Sequence, residues 1–318
     1  MTRKIGIIGL GHVGATLLHD LIAGQVFDSY VVIDKDEKKV ASDVLDMKDR
    51  VANTGYFADF VVNDYSALSD ADIVVSSLGN ILLQANAANS RFAELPFTSQ
   101  EVKDVSKKLV ASGFSGILIV ITNPVDVITQ LYQTYTGFPK EKIIGTGTLL
   151  DTARMKRAVG EKFGVSPVSV SGYNLGEHGN SQFTAWSQVR VNQTPIQQLL
   201  STDELSQLAD EARVGGHTVF FGKGYTNFAI AAAAKTLIEA VLSNSRVNLP
   251  VSHYLESFDT YIGYPALVGR NGIEDSVVLD LPKGERELLD RSAQIIRERV
   301  DIAKTGDSFQ SWYAMVTY

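Results

Sequence analysis

His178 lies in the run Gly176-Glu177-His178-Gly179-Asn180. An imidazole in a glycine-flanked loop is suited to passing a proton, because its charge changes near neutral pH and loops carry reactive groups that a scaffold positions. The chain has five histidines, and His178 alone has this setting. His12 is inside a glycine-rich turn, where its backbone matters more than its ring. His19 and His253 read as ordinary helical or surface residues, and His217 is ambiguous. Upstream, Leu150-Asp151-Thr152-Ala153-Arg154 puts a carboxylate and a guanidinium three positions apart, on one face of a helix. By spacing alone that pair is as readily an exposed ion pair as part of a site.

The second chemical signal is Gly9-Leu10-Gly11-His12-Val13-Gly14, which follows an apolar strand and opens an apolar helix. Gly9 makes the tight turn, Gly11 lets the backbone approach a pyrophosphate, and Gly14 lets helix and strand pack closely. The helix N-terminus offers free N–H groups to the phosphates. Asp34, about 20 residues further on at the end of the next strand, is placed to accept from the adenosine ribose hydroxyls and to repel a 2′-phosphate, which favours NAD over NADP. Lys35 beside it softens that preference.

These groups need a scaffold. Ile5–Gly9, Tyr30–Ile33, Phe60–Val62, Ile73–Ser77, Gly116–Ile121 and Ile143–Gly145 are short and almost purely apolar, as strands buried on both faces of a parallel sheet are. Alternating with helices, they predict an α/β fold, a Rossmann-type doubly wound parallel sheet. Thr98 with Glu101 matches a capping box, and Asn123-Pro124 an N-cap followed by proline, with Gly137 as the stop. The second half reads as an α+β substrate or catalytic domain. It has a helix from Thr148 to Phe163 and strands at Val168–Tyr173 and Trp186–Val191. A helical region over 202–243 is interrupted at Gly215-Gly216. Strands follow at Tyr261–Val268 and Ser276–Leu281, then a helix over 284–304. The expected division is 1–145 for the dinucleotide and 146–318 for the substrate; residues 306–318 show no period.

The chain has 318 residues, 45% apolar and 20% charged, a globular composition that can bury a large core. A net charge of −7 gives no bulk help in binding nucleic acid or anionic lipid. Cysteine is absent, which excludes disulfides, thiolate metal sites and a cysteine nucleophile. The apolar run Ile5–Leu10 is too short for a signal peptide, and no window approaches the ~18 apolar residues of a membrane helix. The expectation is a cytoplasmic protein with neither a nucleic-acid nor a membrane partner and no metal.

Taken together and in order, GLGHVG (9–14), TNPVDV (122–127), LDTAR (150–154), GEHGN (176–180) and KGYTNFA (223–229) resemble the L-lactate/malate dehydrogenase family, and within it the L-2-hydroxyisocaproate dehydrogenase branch. The resemblance implies an NAD-dependent L-2-hydroxy acid dehydrogenase, assembled as a dimer or tetramer, acting on a small 2-oxo or 2-hydroxy acid. It assigns proton donation to His178, with Asp151 fixing the imidazole tautomer, and carboxylate binding to Arg154 through a bidentate fork. Arg91, on a loop, would polarise the substrate carbonyl. Asn123 would sit near carbonyl and nicotinamide, Thr226 and Gln84 would line the substrate pocket, and Gly9, Gly11, His12, Val13, Gly14, Asp34, Gly79, Asn123 and Ile230 would hold the cofactor. Reduction of a 2-oxo acid needs a proton donor, a cation for the carboxylate and a donor for the developing oxyanion; His178, Arg154 and Arg91 meet those needs.

Three departures bear on the substrate and on control. The segment 79–91 is longer than in lactate and malate enzymes and carries Leu82, Leu83, Gln84 and Ala85, where malate enzymes have a second arginine. An unpaired second carboxylate would be costly there, so oxaloacetate is disfavoured. The expected substrate is a branched or medium-chain acid such as 2-oxoisocaproate, with pyruvate as the alternative. Asn180 replaces the family's usual aspartate, and Lys156 and Ser171 stand where fructose-bisphosphate-activated enzymes carry a basic pair. A non-catalytic NAD-binding protein is the competing reading; an NAD-dependent glycosidase is disfavoured by the missing cysteine ligands.

Overall fold

The computed structural model describes residues 3–80, 83 and 93–305. Six parallel strands form the first half: β1 (Lys4–Ile8), β2 (Ser29–Ile33), β3 (Asp59–Val62), β4 (Ile73–Ser76), β5 (Ile117–Val120) and β6 (Ile143–Gly145). Three more belong to the same sheet: β7 (Val247–Leu255), β8 (Thr260–Gly269) and β9 (Gly272–Ser276). The order across the sheet is β9-β8-β7-β6-β5-β4-β1-β2-β3. Its right-hand part, 3-2-1-4-5-6 when read from the edge, is the doubly wound Rossmann order. The left-hand part is antiparallel and joins β6 through Ser252 opposite Gly145.

Strands β2, β4 and β5 are buried at every position, which is why they carry no polar alternation. Successive residues feed opposite faces. Ile7, Val32, Val75 and Ile119 pack with the helices α1 (His12–Ala23), α2 (Glu37–Ala52) and, late in the chain, Phe228–Ser243. Ile8, Val31, Val74 and Leu118 pack on the other face with α3 (Leu95–Ser112), α4 (Val125–Thr136) and the final helix Lys283–Thr305. Between α4 and those last two helices come α5 (Leu149–Phe163) and α6 (Thr202–Lys223). Phe228–Ser243 is therefore α7, and Lys283–Thr305 is α8. A third apolar cluster, with Met155, Val159, Leu205 and Leu208, joins α5 to α6 and to the short strands 170–171 and 190–191.

Several local expectations need correction. Thr98 and Glu101 do not form a capping box: both lie inside α3, whose N-cap is Glu94, and the Thr98 hydroxyl donates to the Glu94 carbonyl. The N-cap of α4 is Pro124, not Asn123: the helix opens one residue later, at Val125. Helix α6 runs unbroken through Gly215-Gly216; the real break is Gly224–Asn227, where Gly224 adopts a left-handed φ of 83°. Strand β7 was not expected, and β9 occupies 272–276 rather than 276–281. The stretches 168–173 and 186–191 reduce to two-residue strands flanked by 3₁₀ turns. His253 is not a surface residue: it is 1% exposed in β7, burial lowers its pKa to about 4, and Ser276 Oγ meets its Nε2 at 2.9 Å.

Candidate active site

Gly9 ends the first strand with φ +94°, and a Cβ there would meet the Ser77 carbonyl oxygen at 2.6 Å. A Cβ on Gly14 would sit 2.0 Å from the Gly9 oxygen, so helix α1 can leave the strand at this closeness only without a side chain. Gly11 is different: a Cβ there meets nothing within 4 Å. The absence of a side chain at 11 keeps backbone accessible from a cavity of about 910 Å³ that Gly9, Gly11, His12, Val13, Asp34, Gly79, Asn123 and Ile230 all line. Asp34 Oδ2 accepts from the Leu10 N–H at 2.6 Å, which ties the carboxylate to the glycine turn. Lys35, which also lines the cavity, has its Nζ 3.7 Å from Glu101 Oε1 and 4.6 Å from the centre of the Phe97 ring. Open backbone at a helix N-terminus, next to an acidic residue at the end of β2, fits a dinucleotide.

Arg154, His178 and Thr226 line the same cavity. Helix α5 starts after Thr148 and stops at Gly164 in a left-handed conformation. Asp151, in its first turn, is 3% exposed. Its Oδ2 lies 2.5 Å from His178 Nδ1 and its Oδ1 is 3.2 Å from Arg154 Nη1. The spacing in LDTAR thus yields a buried bridge between a histidine and an arginine rather than an exposed ion pair. With Nδ1 committed to the carboxylate, the Nε2 edge of His178 is the one that can serve the cavity the ring lines.

The His178 loop is fastened from three elements. Gly176, at φ +95°, exchanges backbone hydrogen bonds of 2.9 and 3.0 Å with Gly263 in β8. The Glu177 N–H donates to Ser292 Oγ of α8 at 2.6 Å. The His178 N–H donates to Asp126 Oδ2 of α4 at 2.8 Å. Two threonines of the α5 entry complete the frame: Thr148 Oγ1 donates to the Asn174 carbonyl, and Thr152 Oγ1 accepts from the Asn174 N–H. Asp126 is fully buried, and that desolvation pushes its pKa up to about 7.

Sequence reasoning passed over several groups. Glu94, 4% exposed, lines the cavity and accepts from the Asn80 N–H at 2.6 Å. Asp126 was inside a quoted motif without a role. Gly216, read as a helix break, lies under Arg154: a Cβ there would be 3.2 Å from Cζ, Nη1 and Nη2. Tyr225, Phe220 and Phe221 also line the cavity. A glycine pair inside an otherwise helical run was the one signal available for Gly216. Arg91 and Gln84, and with them Leu82 and Ala85, lie outside the described residues. No helix among the described residues is long and apolar enough to cross a membrane.

Comparison with known proteins decides what this frame belongs to. Residues 3–145 match the model of the lactate/malate dehydrogenase NAD-binding domain, and residues 148–306 match that of the lactate/malate dehydrogenase alpha/beta C-terminal domain. The chain belongs to the lactate/malate dehydrogenase family. It is 36% identical over 306 residues to an L-lactate dehydrogenase of Staphylococcus saprophyticus, covering 93% of this chain and 95% of that protein. It is 34% identical over 310 residues to L-lactate dehydrogenase 1 of Bifidobacterium longum, covering 94% and 97%. Among solved structures it is similar to the minor L-lactate dehydrogenase of Enterococcus mundtii in a ligand-bound form, with TM-score 0.89, 30% identity and coverage of 94% and 98%. It is also similar to the Cryptosporidium parvum lactate dehydrogenase complexed with lactic acid and nicotinamide adenine dinucleotide, with TM-score 0.89, 25% identity and coverage of 96% and 98%. As a member of the family the chain is an NAD-dependent oxidoreductase acting on the CH–OH group of a 2-hydroxy acid.

Proposed function

We propose that this dehydrogenase interconverts pyruvate and L-lactate, with His178, Asp151, Arg154 and Arg91 as its catalytic groups. The observation that carries the assignment is Asp151 joined at once to His178 Nδ1 and Arg154 Nη1 beside the cavity. The relatives named L-lactate dehydrogenase support the substrate.

Bound NADH supplies the hydride that reduces the 2-oxo carbon. Arg154 holds the substrate carboxylate in a bidentate fork, which orients the carbonyl toward the imidazole. His178 gives a proton from Nε2 to the carbonyl oxygen as it is reduced and recovers one from the alcohol in the reverse direction. Asp151 keeps the imidazole in the tautomer that presents Nε2 and stabilises the imidazolium before transfer. Arg91 polarises the carbonyl, and Asn123 hydrogen-bonds close to it; Thr226, Gln84 and Ile230 form the walls. Gly9, Gly11, His12, Val13, Gly14, Asp34 and Gly79 hold the dinucleotide. Residues 1–145 serve as the NAD-binding unit and 146–318 as the substrate unit. The enzyme works in the cytoplasm as a homo-oligomer, a dimer or a tetramer.

A second reading keeps the chemistry and changes the acid. Segment 79–91 is long and apolar, with Leu82, Leu83, Gln84 and Ala85, which favours branched acids such as 2-oxoisocaproate. The test is kcat/KM for NADH oxidation with pyruvate, 2-oxoisocaproate, phenylpyruvate and oxaloacetate, with His178→Ala as the control. Highest efficiency with pyruvate, abolished in the variant, supports the first reading. A preference above tenfold for the branched or aromatic acids replaces it with the second. NADH binding with no turnover of any acid would overturn the catalytic assignment.

A further inference from the structure

The imidazole of His12 lies flat on the ring of Tyr225, with centroids 3.6 Å apart and planes within 3°. The two residues are 213 positions apart in the sequence, 225 against 12. His12 is the first residue of α1, directly after the open Gly11 of the dinucleotide turn. Tyr225 is in the short break between α6 and α7 and immediately precedes Thr226. Both rings line the same cavity as Gly11 and Thr226.

The contact is one side of a closed circuit. The Asn227 amide donates to Thr16 Oγ1 at 2.7 Å, and Thr16 Oγ1 donates to the His12 carbonyl at 2.7 Å. Asn227 is buried, Thr16 is half-buried and the His12 end of the link is exposed. Lys223 steadies the break from its other end: its Nζ lies 4.7 Å from the Tyr225 ring centre, 4.1 Å from that of Phe228 and 2.5 Å from Asn227 Oδ1. The first turn of α1 and the segment 224–227 are thus held together by a ring stack and by a hydrogen-bonded chain.

We propose that the His12–Tyr225 stack is a clasp across the dinucleotide turn, which retains the bound cofactor and sets Thr226 against the substrate. The proposal rests on reading Gly9–Gly14 as the pyrophosphate turn and Thr226 as a pocket wall. Flat stacking needs only an aromatic face at position 12, not an ionisable one. His12 and Tyr225 are therefore positioning residues, acting through the segment they join.

The test is NADH dissociation followed by stopped-flow fluorescence, with KM for the 2-oxo acid measured alongside, in His12→Ala, Tyr225→Ala and His12→Phe. Loss of one aromatic pair should speed NADH release roughly three- to tenfold in both alanine variants and raise KM in the same direction. His12→Phe, which keeps the stack without the imidazole nitrogens, should return both quantities to within about twofold of the parent. Alanine variants that lower the thermal midpoint but leave NADH release and KM unchanged would overturn the clasp, since the stack would then be packing only. Phenylalanine as harmful as alanine would also overturn it, because the ring face would not be what matters. NADH release does not depend on which acid is the substrate, so failure here is distinguishable from failure of the pyruvate assignment.

Discussion

Replacing Gly216 by alanine separates substrate binding from stability. Gly216 is inside α6 and keeps a helical backbone, so alanine there should stabilise the helix by about 0.5–1 kcal/mol through propensity. The new Cβ, however, would stand 3.2 Å from three atoms of the Arg154 guanidinium, which must give way by a few tenths of an ångström. Arg154 is also tied to Asp151 at 3.2 Å, so its movement is not free. A charge-assisted hydrogen bond contributes about 1.5–3 kcal/mol. Spoiling the geometry of one arm of the fork should therefore raise KM for the 2-oxo acid roughly tenfold. Gly215→Ala is the built-in control, because its Cβ meets only Arg157 Nη2 at 3.4 Å, an ordinary contact. The assay is steady-state kinetics with a thermal midpoint for each variant. Gly216→Ala should keep or raise the midpoint while losing substrate affinity, and Gly215→Ala should show only the first effect. A KM for Gly216→Ala within twofold of the parent would refute the reasoning, because Arg154 would then either not bind the carboxylate or not be held where the geometry puts it.

Two further outcomes follow from groups near the site. The Asp126 carboxyl, raised by burial to about 7 from 3.8, holds a proton in the folded state between those values that the unfolded chain has lost. Folding stability therefore falls as pH rises from about 4 to about 7. Asp126→Asn, which keeps an acceptor for the His178 N–H, should gain on the parent across that window by up to about 4 kcal/mol; a difference in thermal midpoint constant from pH 4 to pH 8 would contradict this. Fructose 1,6-bisphosphate should leave turnover unchanged at neutral pH, since the position paired with Lys156 holds the uncharged Ser171; strong activation would show that the sugar phosphate has another seat.

The parallel half was legible because burial on both faces leaves a strand no reason to alternate, so β1, β2, β4 and β5 stand out as apolar runs. The pairing of Asp151 with His178 came through the family likeness, and the distances agree with it. Strand β7 escaped notice because Pro250, Ser252 and His253 interrupt its apolar run, although Ser252 and His253 are buried. Pro250 faces Pro265 across the ladder, so the two missing N–H donors fall at one step. The glycine pair in α6 misled because propensity is a weak prior: the helix continues through it, and Gly216 leaves room for the Arg154 guanidinium packed above it. The roles of Glu94, Asp126 and Tyr225 depend on partners distant in sequence, which no local pattern reports.

The sheet runs through both halves of the chain, and β6 is where they meet. Ile143, Ile144 and Gly145 are fully covered there, with β5 on one side and β7 on the other. A gene fragment ending at residue 145 would present that apolar rim with half its hydrogen-bonding groups unsatisfied, the kind of template on which chains stack into aggregates. Loops around this catalytic frame are open to exchange, whereas the strand pairing at β6 ties the two halves into one sheet.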